Sequence, residues 1–436
     1  MSAASARLPE GRPDSAGLLS ELRWRGMLKE TTPGLAERLA TGRPIAGYNG
    51  FDPSAPWLHI GHLVPIFGLV HLQRHGGRPV VVVGGGTGMI GDPSGRSSER
   101  NLLDRPTIEA NTRSIRGQLE HFLDFSGPQG AVVVDNYDWL SRFGMLEFLR
   151  DVGKHFTVPY MLAKDSVQMR LDRGLSFTEF SYMLLQAADF LHLYRTMGVE
   201  LQMGGADQWG NITAGLELIR RVEEASEAQE PAHALAYPLL LTPSGTKFGK
   251  SEAGESVWLD PTQTSPYALY QYWLNADDRD VGLYLRWFTL FDQGQIESLE
   301  AEQAARPEQR LAQRVLAFDI TAHVHGAEAA ERAAATSREA FDADAAPSAE
   351  VLETLYEELD HRFEFARSAL ADLVGLAIES GLFASRSEVR RAIQQGGLYI
   401  NERQVREASE PVEALHERWV RVRFGKKRQA IGRLRA

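Results

Sequence analysis

Two imidazoles flank a glycine at the start of a predicted helix, in the stretch His59-Ile60-Gly61-His62. The exposed amide groups and the dipole of a helix N-terminus favour an anion there. Histidines add hydrogen-bond donors that can become charged when a phosphate is near, and Gly61 allows the backbone to approach closely. Two histidines at a helix cap are ordinarily surface residues, but the preceding strand pattern and the motifs below favour a phosphate site.

Four further cations could bind phosphate. Lys247 and Lys250 lie in a glycine-containing loop that follows a Pro-Ser-Gly turn, and both side chains could swing onto a polyphosphate. Arg96 and Arg100 follow a glycine-rich run. Lysines in loops are usually only solvated, so these residues become informative only together with the other motifs.

The glycine-rich run itself argues against one class of protein. Gly86 to Gly91 has the G-x-G-x-x-G spacing of dinucleotide-binding folds, but that motif must open a helix. Here the sequence continues Asp92-Pro93-Ser94-Gly95, which is typical of a turn. We therefore set a nicotinamide-cofactor site aside.

Polar residues recur on one face of a predicted helix over residues 177–197. Tyr182, Gln186 and Asp189 stand at i, i+4 and i+7, and the residues around them are mostly apolar. A polar stripe on a helix is normally its solvated face. A helix that is apolar nearly all round is buried, however, and its polar groups then need partners, such as a small polar ligand. Further along, Gly204-Gly205-Ala206-Asp207-Gln208 combines glycines that admit a ligand with side chains that can bind it.

The elements that must position these residues alternate between strand and helix. Apolar runs predict strands at 45–51, 80–83, 131–134 and 201–203, and helical patterns cover 63–75, 107–125 and 177–197. The last helix begins with a capping box, Ser176 to Glu179, and ends at Gly198. This alternation predicts an α/β fold with a Rossmann-like, doubly wound parallel sheet.

The chain is long enough for several domains. We predict a disordered N-terminal arm, a Rossmann-like domain, an α-helical domain, a linker and a small α+β tail, with bounds 1–20, 21–261, 262–345, 346–365 and 366–436. The arm lacks the apolar core of a secretory signal, and its acidic residues and prolines argue against a mitochondrial transit peptide. No apolar run approaches the roughly 20 residues of a membrane helix.

Charge separates the tail from the rest of the chain. The 436 residues carry a net charge of -11, but residues 366–436 carry +6 and the preceding residues -17. Arg386, Arg390 and Arg391 fall close to one helical face, ahead of a Gly-Leu-Tyr-Ile-Asn strand pattern. A basic face beside an acidic body indicates a polyanion partner such as RNA. Because the chain has no cysteine, disulfides, thiolate metal sites and cysteine nucleophiles are excluded.

Together these motifs resemble the class I aminoacyl-tRNA synthetases, and among them the bacterial-type tyrosyl-tRNA synthetases. His59-Ile-Gly-His and Lys247-Phe-Gly-Lys-Ser are similar to the two phosphate-binding signatures of the class. Five further motifs resemble the tyrosyl branch of the class. They are Tyr48-Asn-Gly-Phe-Asp-Pro, Gly88-Met-Ile-Gly-Asp-Pro-Ser-Gly, Asp151-Val-Gly-Lys-His-Phe, Ser176-Phe-Thr-Glu-Phe-Ser-Tyr-Met and Gly204-Gly-Ala-Asp-Gln-Trp-Gly-Asn. The resemblance runs from about Leu22 to the C-terminus, where the tail is similar to the S4 RNA-binding fold.

The resemblance implies a role for each candidate residue. A phenolic hydroxyl would be bound by Tyr48 and Asp189, an α-ammonium group by Asp92, Tyr182 and Gln186, and a carboxylate would lie near Gln208. Adenosine would be lined by Gly50, Asp52, Gly205 and Asp207. The phosphates of ATP would meet Ser54, His59, His62, Lys247 and Lys250, helped by Arg96 and Arg100. RNA would meet Arg386, Arg390 and Arg391. Two positions depart from the family: Ser54 stands where threonine is common, and Arg96 where lysine is common, with a different geometry.

The activity that the resemblance implies is two-step ligation of tyrosine to tRNA. The carboxylate of tyrosine would attack the α-phosphorus of ATP, which brings Mg²⁺, and the 3′-terminal ribose of tRNA would then take the tyrosine. Positioning and charge stabilisation would carry the catalysis, with no resident metal or organic cofactor. Tyrosyl-tRNA synthetases are themselves the established case of a polar pocket that rejects phenylalanine, about 10⁵-fold without editing. The resemblance also implies a cytoplasmic homodimer, one tRNA spanning both subunits, and an anticodon-binding role for the helical domain.

Three alternatives remain open from the sequence. A tryptophanyl-tRNA synthetase relative would share the fold and the phosphate motifs, although Tyr48 with Asp189 favours a hydroxyl over an indole. A nucleotidyltransferase with a histidine signature would lack Lys247 to Ser251 and the RNA-binding tail. A non-catalytic RNA-binding protein derived from a synthetase would not need the intact phosphate motifs.

Overall fold

The chain forms two compact units. The structure, a computed structural model, describes residues 15–92, 103–171, 174–224, 231–240, 248, 256–340, 346–358, 361–425 and 428–435. The first unit takes the chain up to Thr264 and then Tyr272–His325, and the second takes Ser265–Gln271 and everything from Gly326 onward. The predicted helical domain, 262–345, is thus divided between the two units.

The first unit is built on a six-stranded sheet in the order β1-β6-β5-β2-β3-β4. Its strands are β1 Glu30–Thr31, β2 Ala46–Phe51, β3 Arg78–Val83, β4 Val132–Asp135, β5 Val199–Gly205 and β6 His233–Tyr237. All neighbours are parallel except β1, which runs antiparallel to β6. The chain order reverses between β2 and β5, where Tyr48 pairs with Gln202. The doubly wound α/β prediction is confirmed, and such a reversal places a ligand crevice at the carboxyl ends of these strands.

Helices connect and cover these strands. They are α1 Gly17–Trp24, α2 Leu35–Ala40, α3 Leu63–Arg74, α4 Arg105–Leu119, α5 Tyr137–Leu140, α6 Met145–Asp151, α7 Val158–Leu162, α8 Asp165–Leu171, α9 Phe177–Met197, α10 Trp209–Val222, α11 Pro266–Leu274, α12 Val281–Phe288, α13 Gln293–Ala305 and α14 Leu311–His325. In the parallel part of the sheet, α3 lies between β2 and β3, α4 between β3 and β4, and α10 between β5 and β6. Strand β6 and the two-residue β1 were not predicted.

Local signals account for where two of these helices begin and end. Helix α9 has the predicted bounds, because the Ser176 side chain accepts a hydrogen bond from the Glu179 amide and Gly198 adopts a left-handed φ of 65°. Helix α4 begins two residues before its prediction, since Asp104 accepts from the Thr107 amide and a proline occupies the first turn. It ends at Leu119, well short of the predicted residue 125.

The N-terminal prediction needs a correction at residues 17–20. These residues, assigned to a disordered arm, form the first turn of α1 because Leu18, Leu19 and Leu22 bury one helical face. Residues 1–14 lie outside the described part of the chain. No helix in the described ranges is long and apolar enough to cross a membrane. The same ranges hold no group of three or more His, Asp or Glu side chains placed to bind a metal ion.

The second unit contains a five-stranded sheet in the order β7-β11-β10-β8-β9. Its strands are β7 Arg362–Phe365, β8 Leu398–Ile400, β9 Arg403–Gln404, β10 Trp419–Phe424 and β11 Arg428–Leu434, and its helices are α15 Ala327–Ala340, α16 Ala349–Glu358, α17 Leu373–Glu379 and α18 Arg386–Gln394. Tyr267, Leu352 and Leu355 share a buried cluster with Trp419 and Ile431. The segment 265–271 and helix α16 therefore belong to the core of the tail sheet.

Candidate active site

A cavity of about 410 Å³ opens at the carboxyl ends of the central strands. It is lined by twelve of the predicted residues: Tyr48, Gly50, Asp52, His59, His62, Asp92, Tyr182, Gln186, Asp189, Gly205, Asp207 and Gln208. Ser54 is exposed and is not among the lining residues. Four predicted phosphate-binding residues lie outside the described part of the chain: Arg96, Arg100, Lys247 and Lys250. One cavity thus collects residues that are spread over 160 positions of sequence.

At the deep end of the cavity lie two buried polar groups, the Tyr48 hydroxyl and the Asp189 carboxyl, which interact electrostatically. Tyr48 is 2% exposed, and its hydroxyl has no hydrogen-bond partner among the described residues. Burial raises the pKa of that hydroxyl, and the neighbouring charge of Asp189 raises it further. A buried hydroxyl without a partner costs free energy. A ligand hydroxyl, which both donates and accepts, would satisfy Tyr48 and Asp189 together.

Asp189 is held by two donors that the sequence analysis missed. The Asn136 amide donates to Asp189 Oδ2 at 2.8 Å, and the Trp139 indole N–H donates to Oδ1 at 2.8 Å. Burial raises the pKa of the Asp189 carboxyl to about 7, and these two hydrogen bonds oppose that rise. Asn136 follows β4 directly and Trp139 lies on α5 just after it, so a polar residue at the carboxyl end of a predicted strand was the signal that could have found Asn136.

The glycine-rich run orients Asn136. Gly86 N–H donates to Asn136 Oδ1 at 2.7 Å, and Asn136 Nδ2 donates to Thr87 Oγ1 at 2.8 Å. Residues 87–89 form one 3-10 turn, and the next described helix begins at Arg105, so the run does not open a helix as a dinucleotide site requires. Its observed contact is with the asparagine that holds Asp189.

The polar groups predicted for the amino-acid backbone of the ligand meet on another wall. Gln208 Nε2 donates to Asp92 Oδ2 at 2.6 Å, and Asn211 Nδ2 donates to Gln208 Oε1 at 3.2 Å. Asp92 is buried, and Tyr182 and Gln186 line the same cavity from α9. A carboxylate with nearby amide and hydroxyl groups can bind an ammonium group and, through the amides, a carboxylate.

The two histidines are fixed as neutral donors. His59 Nδ1 accepts the Gly61 N–H at 3.0 Å, and His62 Nδ1 accepts the His59 N–H at 3.0 Å. Each neutral ring must then carry its proton on Nε2. Burial lowers the pKa of His59. Burial, and then the nearby His59, lower the pKa of His62 to about 3. Desolvation disfavours the imidazolium form of both rings, and their charge beside a bound phosphate stays a prediction.

The phosphate motifs of the sequence meet at Gly61. A Cβ atom there would lie 2.7 Å from His59 Cε1 and 3.6 Å from the carbonyl oxygen of Phe248, so a side chain would collide with the imidazole. Phe248 is the described residue of Lys247-Phe-Gly-Lys-Ser and is 8% exposed. Its ring packs against Trp273, Tyr284 and Phe288 with centroids 5.4 to 5.8 Å apart. This aromatic contact fixes one residue of the lysine motif beside the histidine motif.

The neutral state of His62 should make the free energy of unfolding depend on pH in the acid range. The pKa of His62 is lowered from about 6.5 to about 3 on folding. Below about pH 6.5 the unfolded chain therefore binds a proton that the folded protein does not, and the free energy of unfolding falls as the pH is lowered. Because His62 is only half-buried and lines the open cavity, we expect a loss of only about 1 kcal/mol between pH 7.5 and 5.5. His62→Asn keeps an acceptor for the His59 amide but does not titrate. Urea unfolding of this variant should therefore show a smaller acid-induced loss than wild type by that amount, whereas exposed His361→Asn should follow wild type. Equal losses in all three proteins would mean that His62 titrates normally.

The basic residues of the second unit differ in availability. Arg386, Arg390 and Arg391 are exposed on α18. Arg386 forms an ion pair with Asp372 at 2.5 Å, while neither Arg390 nor Arg391 pairs with another described residue. Arg421 is buried, and its guanidinium contacts Glu402, Gln429 and the carbonyl of Ala340. Arg421 is thus a structural cation, so the net charge of the tail overstates the charge that a polyanion can reach.

Comparisons with known proteins define the class of this fold and site. Residues 40–342 match the family described as tRNA synthetases class I (W and Y), and residues 379–416 match the S4 domain. The chain belongs to the class I tRNA synthetase family for tryptophan and tyrosine, and it carries an S4 domain.

Individual relatives narrow the likeness to the tyrosine branch. The chain is 53% identical over 390 residues to the tyrosine–tRNA ligase of Anaeromyxobacter dehalogenans, covering 88% of this chain and 90% of that protein. It is 45% identical to the tyrosine–tRNA ligase of Geobacillus stearothermophilus, covering 94% and 98%. Among solved structures, a C-terminally truncated mitochondrial tyrosyl-tRNA synthetase of Coccidioides posadasii aligns with a TM-score of 0.63 at 33% identity, covering 73% and 91%.

Proposed function

We propose that this protein is a tyrosine–tRNA ligase, which activates L-tyrosine with ATP and transfers it to the 3′-terminal ribose of tRNA(Tyr). The single observation that carries the tyrosine assignment is the deep end of the cavity, where the Tyr48 hydroxyl has no partner among the described residues and Asp189 is held ready as an acceptor. A phenolic hydroxyl both donates and accepts, so it can pair with both groups, whereas an indole N–H can only donate and an unsubstituted phenyl ring can do neither. The named relatives agree with this choice.

The cavity also suggests how the substrates are oriented. With its phenol at Tyr48 and Asp189, tyrosine would direct its ammonium group toward Asp92, Tyr182 and Gln186 and its carboxylate toward Gln208. ATP would enter with Mg²⁺ as a substrate complex, with adenosine beside Gly50, Asp52, Gly205 and Asp207. The phosphates would meet the Nε2–H groups of His59 and His62 and the side chains of Lys247, Lys250, Arg96 and Arg100. Because a carboxylate is already nucleophilic, the residues need only position the reactants and stabilise charge at the leaving pyrophosphate.

Pyrophosphate exchange into ATP tests the assignment most directly. Purified protein should exchange label with tyrosine and should be far slower with phenylalanine or tryptophan at equal concentration. Exchange with tryptophan but not with tyrosine would identify the tryptophan branch of the family instead. Absence of exchange with all three, in a protein that still binds tRNA, would favour a non-catalytic RNA-binding protein.

We propose further that Arg390 and Arg391 bind the tRNA backbone from α18. Each neutralised phosphate contributes roughly 0.7 to 0.9 to the slope of log K against log salt. The double variant Arg390→Ala/Arg391→Ala should therefore bind tRNA(Tyr) more weakly, with a slope shallower by about 1.5, while tyrosine-dependent pyrophosphate exchange stays normal. Arg113→Ala/Arg116→Ala, which removes two exposed cations from α4, is the matched control and should keep the wild-type slope. An unchanged slope in the α18 variant would exclude these residues from the RNA contact.

A homodimer is the proposed assembly, and an apolar patch in the first unit supports it. Exposed apolar side chains concentrate between residues 143 and 177: Phe143 40%, Met145 76%, Leu146 81%, Leu149 45%, Val158 59% and Phe177 74%. Where such side chains form one contiguous surface, that surface typically marks a protein interface. Sedimentation equilibrium should give twice the 48.4 kDa of one chain, and a monomer at micromolar concentration would contradict the proposal.

Tyrosine ligation belongs to translation, so we place the protein in the cytoplasm.

A further inference from the structure

A histidine outside the cavity stacks on one of the two donors that hold Asp189. The imidazole of His192 stacks on the indole of Trp139, with ring centroids 4.4 Å apart and planes inclined by only 13°. His192 is half-buried on α9, and Trp139 is 8% exposed on α5. His192 is not among the residues that line the cavity. Any effect of His192 on a ligand must therefore pass through Trp139.

The indole that His192 covers has one polar atom, and that atom is committed to Asp189. Trp139 Nε1 donates to Asp189 Oδ1 at 2.8 Å. The second donor, Asn136, is anchored at both ends of its amide by Gly86 and Thr87. Trp139 has no comparable polar anchor, because an indole offers a single N–H donor. Packing against its faces must set the direction of that donor, and α5 is only four residues long.

The sequence spacing links the stack and the hydrogen bond. Asp189 and His192 are three residues apart on α9, so their side chains are neighbours on one helical face. One helix thus presents both the carboxylate that accepts from the indole and the ring that stacks on it. Parallel aromatic rings at this separation attract each other beyond the area that they bury.

We propose that His192 is a positioning residue for recognition of the tyrosine hydroxyl, and that its flat ring holds the Trp139 indole in the orientation that donates to Asp189. This inference rests on the proposed role of Asp189 in binding the hydroxyl. It assigns the aromatic face of His192, not its charge, as the property that matters. It also adds a second layer to the pocket, in which tyrosine contacts Asp189, Asp189 contacts Trp139, and Trp139 contacts His192.

The hydrogen bonds to Asp189 explain why such a layer is useful. Burial raises the pKa of this carboxyl to about 7, and the bonds from Asn136 and Trp139 are what lower it. If the indole turns away, Asp189 loses one of the two donors that favour its charged, accepting form. The consequence is weaker binding of the phenol, without any change at the phosphate end of the cavity.

Two substitutions separate the ring from the rest of the side chain. His192→Phe keeps a flat aromatic face and removes the nitrogens, and His192→Gln keeps polar atoms and removes the ring. Arg195→Ala is the control, because Arg195 lies on the same helix, is exposed, and pairs with Glu223 rather than with Trp139. Steady-state pyrophosphate exchange at saturating ATP gives KM and kcat for tyrosine and for phenylalanine, and thermal unfolding reports on the fold.

His192→Gln should raise the KM for tyrosine about fivefold, change kcat by less than about twofold, and lower the tyrosine-to-phenylalanine preference by about the same fivefold. His192→Phe and Arg195→Ala should stay within about twofold of wild type. Equal defects in the Gln and Phe variants, or a lowered unfolding temperature with an unchanged preference, would overturn the inference. Asp189→Asn measured in parallel identifies which claim has failed. If that variant keeps the preference, the role of Asp189 falls and the inference with it; if it loses the preference while His192→Gln does not, only the role of His192 falls.

Discussion

Replacing Asp189 by asparagine is expected to lower the preference for tyrosine over phenylalanine by roughly tenfold to a hundredfold, the range for a lost hydrogen bond to a charged group. The carboxylate now accepts from Asn136 and Trp139 and still has lone pairs for a ligand hydroxyl. An asparagine has only one acceptor oxygen. Its amide nitrogen would face one of the two donors, and Asn136 cannot turn to accept because Gly86 and Thr87 hold it.

The comparison of substrates makes this prediction specific. KM and kcat for tyrosine and phenylalanine in pyrophosphate exchange should show the loss in tyrosine, while the KM for ATP stays near its wild-type value. Tyr48→Phe removes the other polar group of the pocket end and should cause a smaller loss of the same kind. A preference that survives in both variants would show that these residues do not read the hydroxyl.

Lys250→Ala is expected to slow tyrosyl-adenylate formation by roughly a hundredfold to a thousandfold, the usual effect of removing one group that stabilises developing charge. Lys250 lies outside the described residues, but Phe248, two positions earlier, is held in its aromatic contact with its carbonyl oxygen beside Gly61. Phe248 itself is therefore fixed next to the histidines at the phosphate end. A charge that acts mainly on the leaving pyrophosphate changes the rate more than it changes binding of the amino acid.

Rapid-quench rates and an equilibrium titration with tyrosine separate these two effects. The dissociation constant for tyrosine should be unchanged in Lys250→Ala, and Lys29→Ala, which removes an exposed lysine from the first unit, should behave as wild type in both measurements. A normal chemical step combined with a large loss of tyrosine affinity would place Lys250 in the amino-acid pocket instead.

The parts of this molecule that could be predicted are those written in short stretches of sequence. The capped helix α9 has its predicted bounds, and the polar residues along it line the cavity as one group. The parallel sheet follows from alternating apolar runs. Strand β6 was missed because His233-Ala-Leu-Ala-Tyr has neither a β-branched run nor alternation, and only burial between β5 and β1 makes it a strand.

Pairings between distant residues could not be predicted. Asn136 and Trp139 are about fifty positions away from Asp189 in sequence, and no local pattern predicts which carboxylate a donor will contact. The protonation of His59 and His62 depends on burial and on hydrogen bonds from the backbone, which spacing alone does not give. Ser54 fits the family motif but is exposed outside the cavity wall, because chain position does not fix the direction of a side chain.

The buried cluster around Tyr267 sets the order in which the two units can fold during synthesis of the chain. Segment 265–271 leaves the ribosome long before Trp419 and Ile431, against which Tyr267 packs. The first unit is complete once His325 has emerged, so it can fold while the second unit still waits for its last strand. A fragment ending near residue 360 would leave Tyr267, Leu352 and Leu355 without part of their cover, and we expect it to be prone to aggregation. A fragment meant to isolate tyrosine activation should therefore end near His325, before α16, so that Tyr267 is the one residue of this cluster left without its cover.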